Sequence, residues 1–212
     1  MSDPDYSKIG KSNVRKSKTH ERRVAHMLTN WTGVEFRRRR VEGRDSTVVE
    51  RESTADVIPV KGTICCSIEA KSGKGFSLDA LLSNCKTSLF TTWWHQATYD
   101  CQILKNVFGR DYYPLLFFKP SVNFDWVAVD RRLFDLGILK PRDIVPGHQN
   151  NKIWFPALSY DYFDLSGDIS MNTSHSKKHK VMESIPLPAL YLCRWKDFEN
   201  SIDPKSIFIE NI

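Results

Sequence analysis

The chain has 212 residues, with 31 Lys+Arg against 25 Asp+Glu for a net charge of +6, 41% hydrophobic residues, and only 10 Gly and 10 Pro. That composition excludes a disordered or fibrous chain, and the length suits a single domain able to bury a sizeable core. The longest stretch free of Asp, Glu, Lys and Arg, 87–99, is too short and polar to cross a bilayer, and no apolar leader opens the chain.

Neither a membrane partner nor export is therefore expected. Five cysteines without C-x-x-C spacing fit reduced thiols, which places the chain in the cytoplasm, the nucleus or, for a viral protein, the host cell. Cys65 and Cys66 are expected to point to opposite faces of a strand. The charge is uneven: between Lys8 and Arg40 stand eleven Lys/Arg and two acids. A basic end on a neutral body suits a polyanion partner, the alternative being a solvated positive tail.

Residues 1–16 are polar, basic and aperiodic and read as a flexible arm. From about Ser17 to Trp31, Val24, Leu28 and Trp31 recur at helical spacing, with Gly33 as the stop. The stretch 34–41 reads as a strand with arginines on both faces, followed by a charged loop. Residues 55–60 and 63–71 read as two strands joined by a tight turn at Lys61-Gly62. Helices are expected over 77–89 and 92–109, strands over 112–119 and 124–130, an insertion over about 140–186, and closing strands over 187–195 and 206–209. Residues 17–212 thus form one mixed α/β domain.

The chemistry lies in Ala55-Asp56-Val57-Ile58 and Ile68-Glu69-Ala70-Lys71. If the turn is two residues long, Asp56 lies opposite Ser67, and strand alternation puts Asp56, Ser67, Glu69 and Lys71 on one face. The other face, from Ala55 through Ala70, is nearly all apolar. Two carboxylates converging there repel each other unless a cation neutralises them, and oxygen ligands select Mg²⁺, with Mn²⁺ able to substitute. Such an ion activates water and stabilises a phosphodiester transition state, while Lys71 polarises the nucleophile. The plainer alternative is a solvated strand face with a surface ion pair.

A helix bearing Glu21, then Asp56 on one strand and Glu69-Ala70-Lys71 on the next, resembles the PD-(D/E)xK nuclease superfamily, and within it the small Holliday junction resolvases of archaea and phages. Ala55 stands where that family has proline. The resemblance covers about residues 17–130 and implies a restriction-endonuclease-like core, a mixed central sheet flanked by helices. It implies that Asp56, Glu69 and the Ala70 carbonyl ligate Mg²⁺, that Lys71 serves the nucleophile, and that Glu21 completes the site through water or metal. It further implies that Gln96, on the later helix, lines the pocket.

Lys16, Lys18, Arg22 and Arg23 on the helix and Arg37, Arg38, Arg39 and Arg40 on the following strand would flank that site and grip phosphates, as would Lys74 in the loop after Lys71. A second acid-x-Lys, Asp203-Pro204-Lys205, has proline at its centre and no carboxylate strand before it. His175 and His179 lie in a lysine-rich loop and read as a basic loop rather than a metal site. A magnesium-dependent junction endonuclease follows as the expectation, working as a homodimer because one chain carries one carboxylate-lysine set. Another nuclease of the superfamily, or a nucleic-acid-binding module without catalysis, remains the alternative.

Overall fold

The computed structural model describes residues 6–39, 54–73, 89–119, 125–139, 155–157 and 190–209. Helix α1 (Tyr6–Thr32) is followed by strands β1 (Phe36–Arg38), β2 (Val57–Pro59) and β3 (Cys66–Ser72), then by helix α2 (Leu89–Phe108). Strands β4 (Tyr113–Lys119) and β5 (Trp126–Asp130) come next, and a one-turn helix α3 (Arg132–Asp135) follows them. Strands β6 (Phe155–Ala157) and β7 (Leu190–Arg194), helix α4 (Trp195–Ser201) and a 3₁₀ turn (Pro204–Ile207) complete the elements.

The strands form one seven-stranded mixed sheet in the order β1-β2-β3-β4-β5-β7-β6. Only β3 and β4 pair in parallel, Cys66 opposite Tyr113 through Ser72 opposite Lys119. A parallel pair needs a crossover, and the connection from β3 to β4 contains α2. The mixed α/β architecture expected from the sequence, with a restriction-endonuclease-like core, is the one observed.

Helix α1 packs on one face through Val24, Ala25, Leu28 and Trp31, all buried against Val57, Ile68, Ala70, Leu115 and Phe117. The helix stops at Gly33, whose φ of 73° and N–H bond to the Thr29 carbonyl at 2.9 Å make a left-handed cap. Thr29 Oγ1 also accepts the Phe36 N–H at 2.9 Å, which fixes where the chain turns back into β1. The opposite face carries Leu116, Phe118, Ala128 and Leu192 beneath Phe90, Trp93 and Trp94 of α2.

Several expectations change. Helix α1 begins at Tyr6, not near Ser17, so part of the expected arm is helical backbone; the Lys- and Arg-rich stretch favours helix without an apolar stripe to announce it. The closing strand expected over 206–209 is a 3₁₀ turn followed by a single bridge between Phe208 and Ile64. The strand expected through Trp195 ends at Arg194, where α4 begins. The helix expected over 77–89, apart from Leu89, which opens α2, and nearly all of the 140–186 segment, with His175 and His179, lie outside the described residues. Cys65 precedes β3, so strand alternation does not apply to it. Its sulfur lies 3.7 Å from that of Cys66, both thiols being buried.

Leu28 has no exposed surface between α1 and the sheet. Leu28→Ala is expected to lower stability by about 2–5 kcal/mol, read as a drop in the urea midpoint. Leu136→Ala, at a residue 61% exposed, should change it by about 0.5 kcal/mol or less.

Candidate active site

Val57 pairs with Ile68, and the Asp56 N–H donates to the Ile68 carbonyl at 2.9 Å, so Asp56 comes beside Glu69. A two-residue turn would instead place it opposite Ser67. The difference arises because the connection is wider than such a turn: Gly62 takes φ 80°, and Ile64 leaves to bridge Phe208. A shift of two residues preserves the side-chain face, since the strand period is two. Glu69 and Lys71, paired with Leu116 and Phe118, therefore lie on the α2 face, while Ile68 and Ala70 enter the core beneath α1.

The three expected residues form one hydrogen-bonded cluster. Lys71 Nζ donates to Glu69 Oε2 at 2.6 Å and to Asp56 Oδ2 at 3.1 Å. The Ala70 N–H also donates to Asp56 Oδ2, at 3.1 Å. In a strand the N–H and C=O of one residue leave on the same side, so the Ala70 carbonyl faces the edge where Asp56 stands. Glu69 has no solvent exposure, and its second oxygen, Oε1, has no hydrogen-bond partner in the structure. The exposed-strand alternative fails here, because a surface pair would not bury a carboxylate completely.

A fourth group joins them from α2. Asp100 is buried, and its carboxyl and that of Glu69 influence each other electrostatically. The Asp100 carbonyl accepts from Thr54 Oγ1 at 3.2 Å, which ties α2 to the entry of β2. Sequence patterning does not single out Asp100. The available signal is its place one residue before Cys101, on the buried side of a helix, where a carboxylate needs a partner.

The other expected residues are distributed around this cluster. Glu21 is held by Ser17 Oγ at 3.0 Å and by Arg38 at 3.6 Å, so its contacts lie on α1 and β1 and not within the carboxylate-lysine cluster. Gln96 is exposed, and it is Asp100, one helical turn on, that reaches inward. Lys16, Lys18, Arg22 and Arg23 are exposed on α1. Arg23 is bound to Asp125 at the start of β5.

Arg38 pairs with Val57 and so lies on the α1 face, while the Arg39 N–H donates to the Asp56 carbonyl at 2.9 Å, which puts Arg39 next to the site. Arg22, His26, Arg37 and Arg38 line a cleft of about 430 Å³ between α1 and β1. Arg40 and Lys74 lie outside the described residues. Just before Lys74, Gly73 passes so close under Trp93 that a Cβ there would stand 3.2 Å from the ring.

Hard oxygen donors at Asp56, Glu69 and the Ala70 carbonyl fit a Mg²⁺- or Mn²⁺-like ion, and the unpartnered Glu69 Oε1 is an oxygen that such a cation would satisfy. Among the described residues no group of three or more His, Cys, Asp or Glu side chains is placed to hold a metal.

The family model described as phage putative PDDEXK endonuclease matches residues 12–139, more than half of the chain. No curated protein and no solved structure matches the chain. The matched span runs from α1 to just beyond α3 and contains every residue of the cluster.

Burial pushes the Glu69 carboxyl well above its usual range, and Asp56 adds to this against the opposing pull of Lys71. Burial disfavours charge on Lys71 too, but Glu69 and Asp56 outweigh it and strengthen its hold on the proton. Burial likewise raises Asp100, against the opposing pull of Lys71, to about 7 from an ordinary 3.8. A carboxyl raised on folding stays protonated in the fold at pH values where the unfolded chain has released the proton. Its contribution to stability is therefore complete below about pH 3.8 and is lost as pH rises through about 7. In metal-free buffer the melting temperature of wild type, relative to Asp100→Asn, should fall between those values and level off above them. A difference that rises with pH would contradict the assignment.

Proposed function

The chain belongs to this PDDEXK endonuclease family, and on that premise we propose that it is a Mg²⁺-dependent endonuclease acting on branched DNA, with Asp56, Glu69 and Lys71 as its catalytic set. The observation that carries the reading is the single lysine bonded to two carboxylates, one just before β2 and one on β3, the latter fully buried. A nuclease is what the family supports; the metal, the junction and the dimer are what we add to it.

Asp56, Glu69 and the Ala70 carbonyl would hold the ion, which when bound supplies a Lewis acid for the scissile phosphate and lowers the pKa of water. The protein's own groups do the rest. Lys71 carries a firmly held positive charge at the mouth of the carboxylate pair and offsets charge developing on the phosphate. Its ammonium has three donors, of which the carboxylates take two, leaving one for a phosphate oxygen or the attacking water. Arg39 brings a second cation within electrostatic reach of Asp100. Glu21, bonded to Arg38, fixes that guanidinium at the rim of the α1–β1 cleft.

Resolving a four-way junction requires two symmetric cuts. A two-fold dimer presents one such site to each of two strands, and one cluster per chain fits that requirement. The arginines of α1 and β1 grip phosphates and need not read bases.

Wild-type protein with Mg²⁺ is expected to introduce paired nicks near the branch point of a labelled four-way junction, and to bind it more tightly than linear duplex of the same sequence. Asp56→Asn should reduce cleavage at least about 100-fold while retaining DNA affinity. Full cleavage by Asp56→Asn sinks the catalytic assignment. Equal cutting of linear duplex by a monomer in light scattering would remove the junction reading and leave the nuclease standing.

Phosphate binding makes affinity salt-dependent. The double variant Arg22→Ala/Arg37→Ala should shallow the slope of log K against log salt by about 2, nearly one for each phosphate no longer neutralised, with similar weakening on every DNA tested. An unchanged slope would remove the cleft from the interface.

A further inference from the structure

The strand register carries one row of side chains from the carboxylate-lysine cluster across the sheet. Lys71 pairs with Phe118, Phe118 with Trp126, and Trp126 with Arg194, so all four stand on the α2 face, one on each of β3, β4, β5 and β7. The next row inward, Glu69, Leu116, Ala128 and Leu192, is buried along its whole length. The Lys71 row is not: Phe118 is buried, Trp126 is only partly covered and Arg194 is exposed. Trp126 lies nearly parallel to Phe118, with ring centroids 6.5 Å apart and planes 22° apart, and the Arg194 guanidinium stands over the indole, 6.0 Å from its centroid. Phe90 and Trp93 of α2 already pack on Phe118. A core of this kind needs neither an open outermost ring nor a cation above it. The acid next to Trp126, Asp125, is held by Arg23 of α1, on the other face.

We propose that Trp126 and Arg194 form a subsite for an unpaired nucleotide of the strand being cut, the base stacking on the indole and the guanidinium taking the adjoining phosphate. A flat aromatic surface with a cation at its edge matches a base joined to a phosphate, and every base has a π-face to offer. A base stacked within a duplex has that face occupied, so the subsite selects DNA in which bases beside the scissile phosphate are unpaired. Its place fits the chemistry. Neighbouring strands lie about 4.8 Å apart, which puts Trp126 about 10 Å and Arg194 about 14 Å from Lys71 along the row. At about 3.4 Å per nucleotide of one strand, those distances correspond to about three and four nucleotides. The proposal rests on the reading that Lys71 and its carboxylates cut DNA, and it adds which feature of the substrate is recognised beside the cut.

The test compares a duplex carrying a short single-stranded tail with a blunt duplex of the same sequence, by fluorescence anisotropy on the full chain. Asp56→Asn, carried in every protein compared, keeps the strand uncut. Trp126→Ala is expected to bind the tailed duplex about 5–150-fold more weakly, the value of one base–aromatic stack, while blunt-duplex affinity changes less than about twofold. Trp126→Leu retains apolar bulk against Phe118 without the ring and should show the same loss if the alanine variant does not fold, whereas Trp126→Tyr should recover most of the affinity. Arg194→Ala should shallow the salt slope on the tailed duplex by nearly one, and Arg194→Lys should not. The fluorescence of 2-aminopurine in the tail should be quenched on binding by the protein with Trp126 and not by Trp126→Leu. Tailed-duplex affinity unchanged in the alanine and leucine variants would overturn the proposal. So would equal weakening on both DNAs, or 2-aminopurine quenching that survives loss of the ring. Binding of neither DNA by the chain with Trp126 intact would overturn the nuclease reading together with this one, whereas binding that ignores Trp126 overturns this one alone.

Discussion

Glu69 lies on a central strand with no surface exposed to solvent, and a carboxylate in that position is tolerable only because Lys71 reaches back along the same face to meet it at 2.6 Å. Much of the fold can be read as what brings this pair into being. Strand β3 is flanked on both sides, by β2 and β4, which buries its middle. Helix α2 closes the face on which the pair lies, removing water and raising the strength of every charge interaction there. The lysine then serves two acids, Glu69 beside it and Asp56 just before the neighbouring strand β2.

The two faces of the sheet have different work. Beneath α1 the side chains are almost entirely apolar, and Val24, Leu28, Ile68, Leu115 and Phe117 pack without exposed surface. Beneath α2 an aromatic cluster of Phe90, Trp94 and Phe118 gives way, toward the β2 edge, to Ser67, Glu69, Lys71 and Asp100. Apolar packing on one side makes polar burial on the other tolerable, because the sheet is held in place independently of the charged groups. Three acids crowded around Lys71, with Arg39 beside them, form an arrangement tuned for chemistry more than for stability. Perturbed carboxyls of this kind gather at functional sites.

Placement of the arginines follows from the same alternation. Arg38 turns to the α1 side, where Glu21 binds it, and Arg39, just after β1, brings its charge within reach of Asp100. One basic run, on β1 and the residue after it, thus supplies both the rim of an outer cleft and a cation near the carboxylates. A strand can divide a charge run in this way, whereas a helix would spread it around its axis.

The amino-acid sequence by itself determined the mixed α/β class, the strands carrying Asp56 and Glu69, and the face that Glu69 shares with Lys71. Alternation with a period of two is a local property and survives a register shift of two residues, such as the one at the turn after Val60. Tertiary structure alone decided the register itself, since the wider connection depends on Ile64 meeting Phe208 from the far end of the chain. It alone decided that Asp100 comes near Glu69, because only the packing of α2 on β3 brings residues that far apart in sequence together. It also separated Glu21 from the cluster in favour of Arg38, and left Gln96 exposed while Asp100 turned inward. Periodicity tells which side of an element is buried, but what a buried polar group meets there depends on the element packed against it.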